Sequence, residues 1–110
     1  MSEDTTLGGY QRVHQRAPAF GGLDGRAYSV STFVDEEPDA YGRCGAALLF
    51  VRWSDAGDRP DGHLETDYLV FGRTPAEALA PVLALTLHEV KAHLDRCIQA
   101  AEQRRGGGDK

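Results

Sequence analysis

The run Cys44-Gly45-Ala46-Ala47-Leu48-Leu49-Phe50-Val51-Arg52-Trp53 is apolar at both alternating phases of an extended strand. A strand with one face in water alternates apolar with polar positions, so both faces of this one require a cover. Its neighbours are patterned more simply. From Arg26 to Val34, Tyr28, Val30, Thr32 and Val34 alternate with Ala27, Ser29, Ser31 and Phe33, which predicts a strand with one apolar face and one mostly small and polar. A further strand is expected over 64–71. The alternation of Tyr10, Arg12 and His14 with Gln11, Val13 and Gln15 suggests a short edge strand over 10–16. Turn-rich stretches at 21–25, 35–42 and 54–63 separate these segments. Such short connections favour an antiparallel meander with the two-sided strand in its middle.

Beyond Gly72 the period changes. Thr74-Pro75-Ala76-Glu77 is a capping box with proline at the first helical position. Leu79, Leu83, Thr86 or Leu87, Val90, Leu94, Cys97 or Ile98, and Ala101 then trace one helical stripe. The pattern predicts a helix to about Arg104, with a kink or broken first turn at Pro81, which lacks a backbone donor. About thirty helical residues span ~45 Å and a nine-residue strand ~30 Å, so the carboxyl end of the helix should overhang the sheet. Ile98 and Ala101 then need a cover from elsewhere. The expected fold is α+β: an antiparallel β-meander of three or four strands with one long C-terminal amphipathic helix packed on one face. Residues 1–9 read as a flexible leader, 10–105 as a single domain and 106–110 as a flexible tail.

Composition narrows the function classes. A chain of 110 residues with 41% hydrophobic and 26% charged residues is long enough for one globular domain with a modest core. The formal net charge is −5, and only Arg104-Arg105 stand side by side among the basic residues, which disfavours direct nucleic-acid binding. No apolar run approaches the ~18 residues of a membrane span, and the acidic, polar amino end lacks a secretory pattern, so a cytoplasmic protein is expected. Two cysteines are too few for a disulfide scaffold and fit a reducing compartment.

Candidate chemistry is sparse. His88-Glu89-Val90-Lys91-Ala92-His93 resembles a zinc helix in composition, but histidines five residues apart lie about 140° apart on a helix, and a zinc pair needs i and i+4. Asp55, Asp58 and Asp61 lack the alternate oxygen ligands of a calcium loop. Cys44 and Cys97 read as small core residues rather than nucleophiles, and the meander keeps them too far apart to bridge. No metal, cofactor or catalytic set is implied.

The surplus apolar face carries the functional expectation. Leu49, Val51, Trp53, Leu69 and Phe71, with Ile98 and Ala101 at the helix end, are the candidate interface of a non-enzymatic protein-interaction module, homodimeric or part of a larger assembly. The rival is a small-molecule binder or enzyme with an aromatic pocket of Tyr28, Trp53, Tyr68 and His93 between subunits.

The stretch Val70-Phe71-Gly72-Arg73-Thr74-Pro75-Ala76-Glu77-Ala78-Leu79 is similar to the strand-to-helix junction of HicB-like antitoxins, which also follows a three-stranded meander. It covers about a tenth of the chain. The resemblance implies a fold of this type and an acidic regulator of a basic partner, a role to which the loop Asp35-Glu36-Glu37-Pro38-Asp39 would contribute charge.

Overall fold

A computed structural model describes residues 5–107. Eight elements follow in order: α1 (Leu7–His14), β1 (Ala19–Gly21), β2 (Ala27–Val34), β3 (Cys44–Trp53), β4 (Pro60–Glu65), β5 (Val70–Gly72), α2 (Pro75–Leu83) and α3 (Leu87–Gly107). The fold is α+β, with a five-stranded sheet in which β1, β2, β3 and β4 run as a meander and β5 also pairs with β3. Every pairing is antiparallel.

The alternation of β3 resolves into two distinct faces. Cys44, Ala46, Leu48 and Phe50 are wholly buried and point toward the helices. Tyr28 and Val30 of β2 join them, and Ala78 and Val82 of α2 with Val90, Leu94 and Ile98 of α3 close over the top. Those helical positions recur every four residues, which keeps one stripe turned to the sheet. Residues of the size of Phe50 and Leu94 contribute about 1.5–3 kcal/mol each when fully buried.

The expected strand over 64–71 is interrupted. β3 hands over its outer edge from β4, paired from Leu49 to Trp53, to β5, paired from Cys44 to Ala46. Between them the Thr66 and Leu69 amides still donate to the Leu48 and Ala46 carbonyls, so Asp67 and Tyr68 form an irregular step in one nearly continuous edge.

Two corrections concern helices. The segment 10–16 belongs to α1, not to an edge strand: Thr6 caps that helix by accepting from the Gly9 amide at 3.0 Å, and Gln15 ends it in the left-handed region at φ 54°. Polar residues on both phases of 10–16 gave the alternation no directional content. Leu7 is wholly buried and its amide donates to the Leu85 carbonyl, so the folded domain reaches forward into the expected leader, of which 1–4 lie outside the described residues. At the other end α3 runs through Gly107, and 108–110 of the expected tail lie outside the described residues.

The carboxyl helix is likewise two helices. Thr74 caps α2 as expected, but the break falls after Leu83 rather than at Pro81. A second capping box sets it there. The Thr86 amide donates to Glu89 Oε1 at 2.9 Å, and the Glu89 amide donates to Thr86 Oγ1 at 3.0 Å.

Candidate functional site

The face of the sheet opposite the helices has no cover among the described residues. Register places Ser29, Ser31 and Phe33 of β2 beside Val51, Leu49 and Ala47 of β3. On the far side of β3, His63 and Glu65 of β4 oppose Val51 and Leu49, and Phe71 of β5 opposes Gly45. Leu49, Val51 and Trp53 are half-buried by their neighbours alone. Phe33, Tyr68 and Phe71 remain 47%, 47% and 44% exposed, which is unusual for side chains of this size.

These three rings form a cluster. Tyr68 stands 6.4 Å from Phe33 and 5.4 Å from Phe71, centroid to centroid. The irregular step after β4 lets the Tyr68 ring lie over Gly45, a space that a Cβ would occupy. The Tyr68 hydroxyl donates to Asp35 Oδ1 at 2.9 Å, and the other oxygen of that carboxylate accepts from the Gly45 amide at 3.1 Å. That bond to Asp35 also raises the Tyr68 pKa. The Arg43 guanidinium stacks 4.3 Å from the Phe71 centroid and 5.3 Å from Tyr41. At the opposite end of β3, Trp53 Nε1 donates to Ser29 Oγ at 3.0 Å, which fixes the indole against the sheet.

A second feature lies on the helix side. Between β4 with the segment following it and the outer half of α3 runs a groove of about 590 Å³, lined by residues that include Leu64, Leu69, His93, Arg96, Cys97 and Arg104. Leu64 and Arg104 also line an adjoining hollow of about 380 Å³ against Tyr28, Ile98 and Ala101. Arg96 Nη2 donates to His93 Nδ1 at 2.9 Å, which leaves Nε2 of a neutral ring as the donor. Burial, then the Arg96 charge, holds the His93 pKa below its ordinary value. Cys97 Sγ sits 3.5 Å from the Glu65 carbonyl, and burial raises its thiol pKa. Cys44 and Cys97 are both free.

The expected interface set is thus split between two faces. Leu49, Val51, Trp53 and Phe71 share the open face. Leu69 faces the groove instead, because the irregular step shifts its phase relative to Phe71. Ile98 is only 2% exposed and finds its cover in Tyr28 and the tightly packed Gly22, while Ala101 lines the smaller hollow. Within one chain the residues of the expected pocket between subunits lie apart. Tyr28 is buried in the core, Trp53 and Tyr68 stand at opposite ends of the open face, and His93 belongs to the groove.

The acidic loops are largely satisfied within the chain. Asp39 pairs with Arg43 at 3.2 Å, Asp61 accepts from Arg26 and Arg52, and Asp35 is engaged as above. No group of three or more His, Cys, Asp or Glu side chains suited to a metal ion occurs among the described residues. Phe33, Arg43, Arg96 and Arg104 are the site residues that pattern did not single out. Phe33 carried a usable signal, being the one large apolar residue on the otherwise small, polar phase of β2.

Fold and surface together define a small α+β domain whose antiparallel sheet is covered by helices on one side and presents on the other an apolar central row with an aromatic cluster at one end, flanked by Ser29, Ser31, His63 and Glu65. No protein-family model matches the chain, and no curated protein or solved structure matches it significantly.

Proposed function

We propose that this protein is a non-enzymatic interaction module that pairs with a second copy of itself through the open face of its sheet. The observation that carries this reading is the row Ala47, Leu49, Val51 and Trp53, continued sideways by Phe33, Tyr68 and Phe71, on a face that no described element covers. An antiparallel sheet facing water permanently would place polar side chains there. A sheet of this length and width presents roughly 600 Å², near the ~800 Å² that each partner contributes to a stable interface.

Charge favours a second copy over a partner of one strong sign. The rim carries Arg43 on Phe71 and Asp35 on Tyr68 at one end, and His63 beside Glu65 along β4. Two copies related by a two-fold axis can set unlike charges opposite one another, which a uniformly acidic or basic surface cannot do. Two free cysteines, one of them buried, support a reducing, cytoplasmic setting.

Light scattering on a size-exclusion column tests the reading. The wild-type chain should run at twice its 11.9 kDa mass, and Leu49→Lys should run as a folded monomer with unchanged helical circular dichroism. A wild-type monomer at every concentration, or a dimer indifferent to Leu49→Lys, would overturn it.

A further inference from the structure

The groove between β4 and α3 lies on the helix side of the sheet and meets the open face only at its rim, where His63 and Glu65 border both. Its volume falls within the ~300–1,000 Å³ of small-molecule sites. The lining is divided lengthwise. Leu64 and Leu69 supply an apolar floor from the sheet side, while α3 presents His93, Arg96, Cys97, Ala100 and Arg104 along one face.

The spacing on α3 matters. Ala100 lies four residues from both Arg96 and Arg104, so the three sit on adjacent turns of the same side with the small residue in the middle. The two Cα positions are separated by about 12 Å along the axis, and the Arg96 guanidinium turns back toward His93, so that both arginines line the groove on either side of Ala100. Neither arginine is paired with a carboxylate among the described residues, in a chain whose acidic residues outnumber its basic ones by 17 to 12. Arg96 instead spends one hydrogen bond on a neutral histidine, and that contact turns the His93 Nε2–H into a further donor. The opposite rim carries Glu65, held near His63 at 3.6 Å, and Asp67. An anionic head therefore belongs on the α3 side, and the smaller hollow past Leu64 and Arg104 sets Ile98 and Ala101 beside the polar Asp24, Tyr28 and Arg52.

We propose that this groove binds an amphipathic carboxylate, its head held by Arg96 and Arg104 and its apolar body lying over Leu64 and Leu69. Arginine suits the task because its planar fork meets a carboxylate with two parallel hydrogen bonds. The neutral His93 ring adds a donor without adding a charge that pH would remove.

Decanoate, with decanol as its uncharged counterpart, is the probe, followed by amide chemical shifts of the full chain. Saturable shifts are expected at His93, Cys97 and Ala100 with decanoate, together with binding at least about tenfold weaker for decanol and for the double variant Arg96→Ala/Arg104→Ala. Arg59→Ala/Arg73→Ala removes the same charge elsewhere on the surface and should bind decanoate as the wild type does. Shifts confined to the open face around Leu49 and Val51, equal binding of decanol, or equal loss in both double variants would each overturn the assignment, as would no saturable binding at millimolar decanoate. Repeating the titration on Leu49→Lys separates the two sites: groove binding should persist there whether or not the chain dimerises.

Discussion

The ring of Tyr68 lies over Gly45 on the open face of the sheet, in the space that a side chain at position 45 would fill. Gly45 is buried although it points away from the helices. An alanine there would drive its Cβ into the ring, and neither the backbone of the central strand nor a tyrosine tied to Asp35 yields easily. Gly45→Ala should cost about 1–3 kcal/mol. Urea denaturation of Gly45→Ala, Tyr68→Ala and the double variant checks the cause. The double variant should cost clearly less than the two single changes added together, and strict additivity would rule the contact out as the reason.

Helix α3 is expected to depend on its own start. The Thr86–Glu89 box satisfies two backbone donors reciprocally, and Thr86→Ala should cost about 1 kcal/mol of stability. The pH dependence follows from Glu89. The Thr86 amide, and then the Thr86 hydroxyl, hold its carboxyl below the ordinary glutamate value. A carboxylate whose folded pKa is depressed adds stability above its unfolded pKa and loses it as the pH falls through the folded value. Wild-type stability should therefore decline more steeply on acidification than that of Glu89→Gln, which retains an acceptor but does not titrate. Parallel curves for the two proteins would show that the box carries no charge-dependent stabilisation.

How far the sequence disclosed this architecture depends on the kind of signal. The two-sided strand and the Thr74 cap were legible because each is local: alternation along β3 and a four-residue box at the start of α2. The break at Ala84–Thr86 was equally local, since Thr86-Leu87-His88-Glu89 is itself a capping box. Pro81 lies inside α2 and does not set the break. The role of 7–14 was not legible, because α1 is held by Leu7 inserted beneath α2 and by the Leu85 carbonyl, partners more than seventy residues away. The same holds for the division of Leu69 from Phe71. Alternation keeps residues two apart on one face, and only the irregular step at Asp67 and Tyr68 separates them. The groove escaped pattern altogether, for Arg96, Ala100 and Arg104 read as the solvated side of an amphipathic helix until β4 is set beside them.

Tyr28 offers a test of the core's edge at the alkaline end. Its ring is buried between the sheet and α3, and its hydroxyl donates to Asp24 Oδ2 at 2.8 Å. Burial first, and the Asp24 carboxylate second, push its pKa up from 10.0 to about 12. For an acid with a raised folded pKa, the stabilisation is fully present below the unfolded value and disappears as the pH rises through the folded one. Tyr28→Phe should cost about 0.5–1.5 kcal/mol near neutral pH, the usual worth of such a bond. Between 10.0 and about 12 the wild type should lose part of its advantage over the variant, because the unfolded chain releases the Tyr28 proton while the folded one retains it. The comparison is clean in one respect: Tyr68, whose pKa Asp35 also raises, is present in both proteins and cancels. Phenolate absorbance supplies a second readout from the same pair. The chain has four tyrosines, and Tyr28→Phe should remove a late-titrating component, leaving the earlier transitions in place. Loss of an early component instead would mean that the hydroxyl is open to water, and that Asp24 does not seal this end of the core.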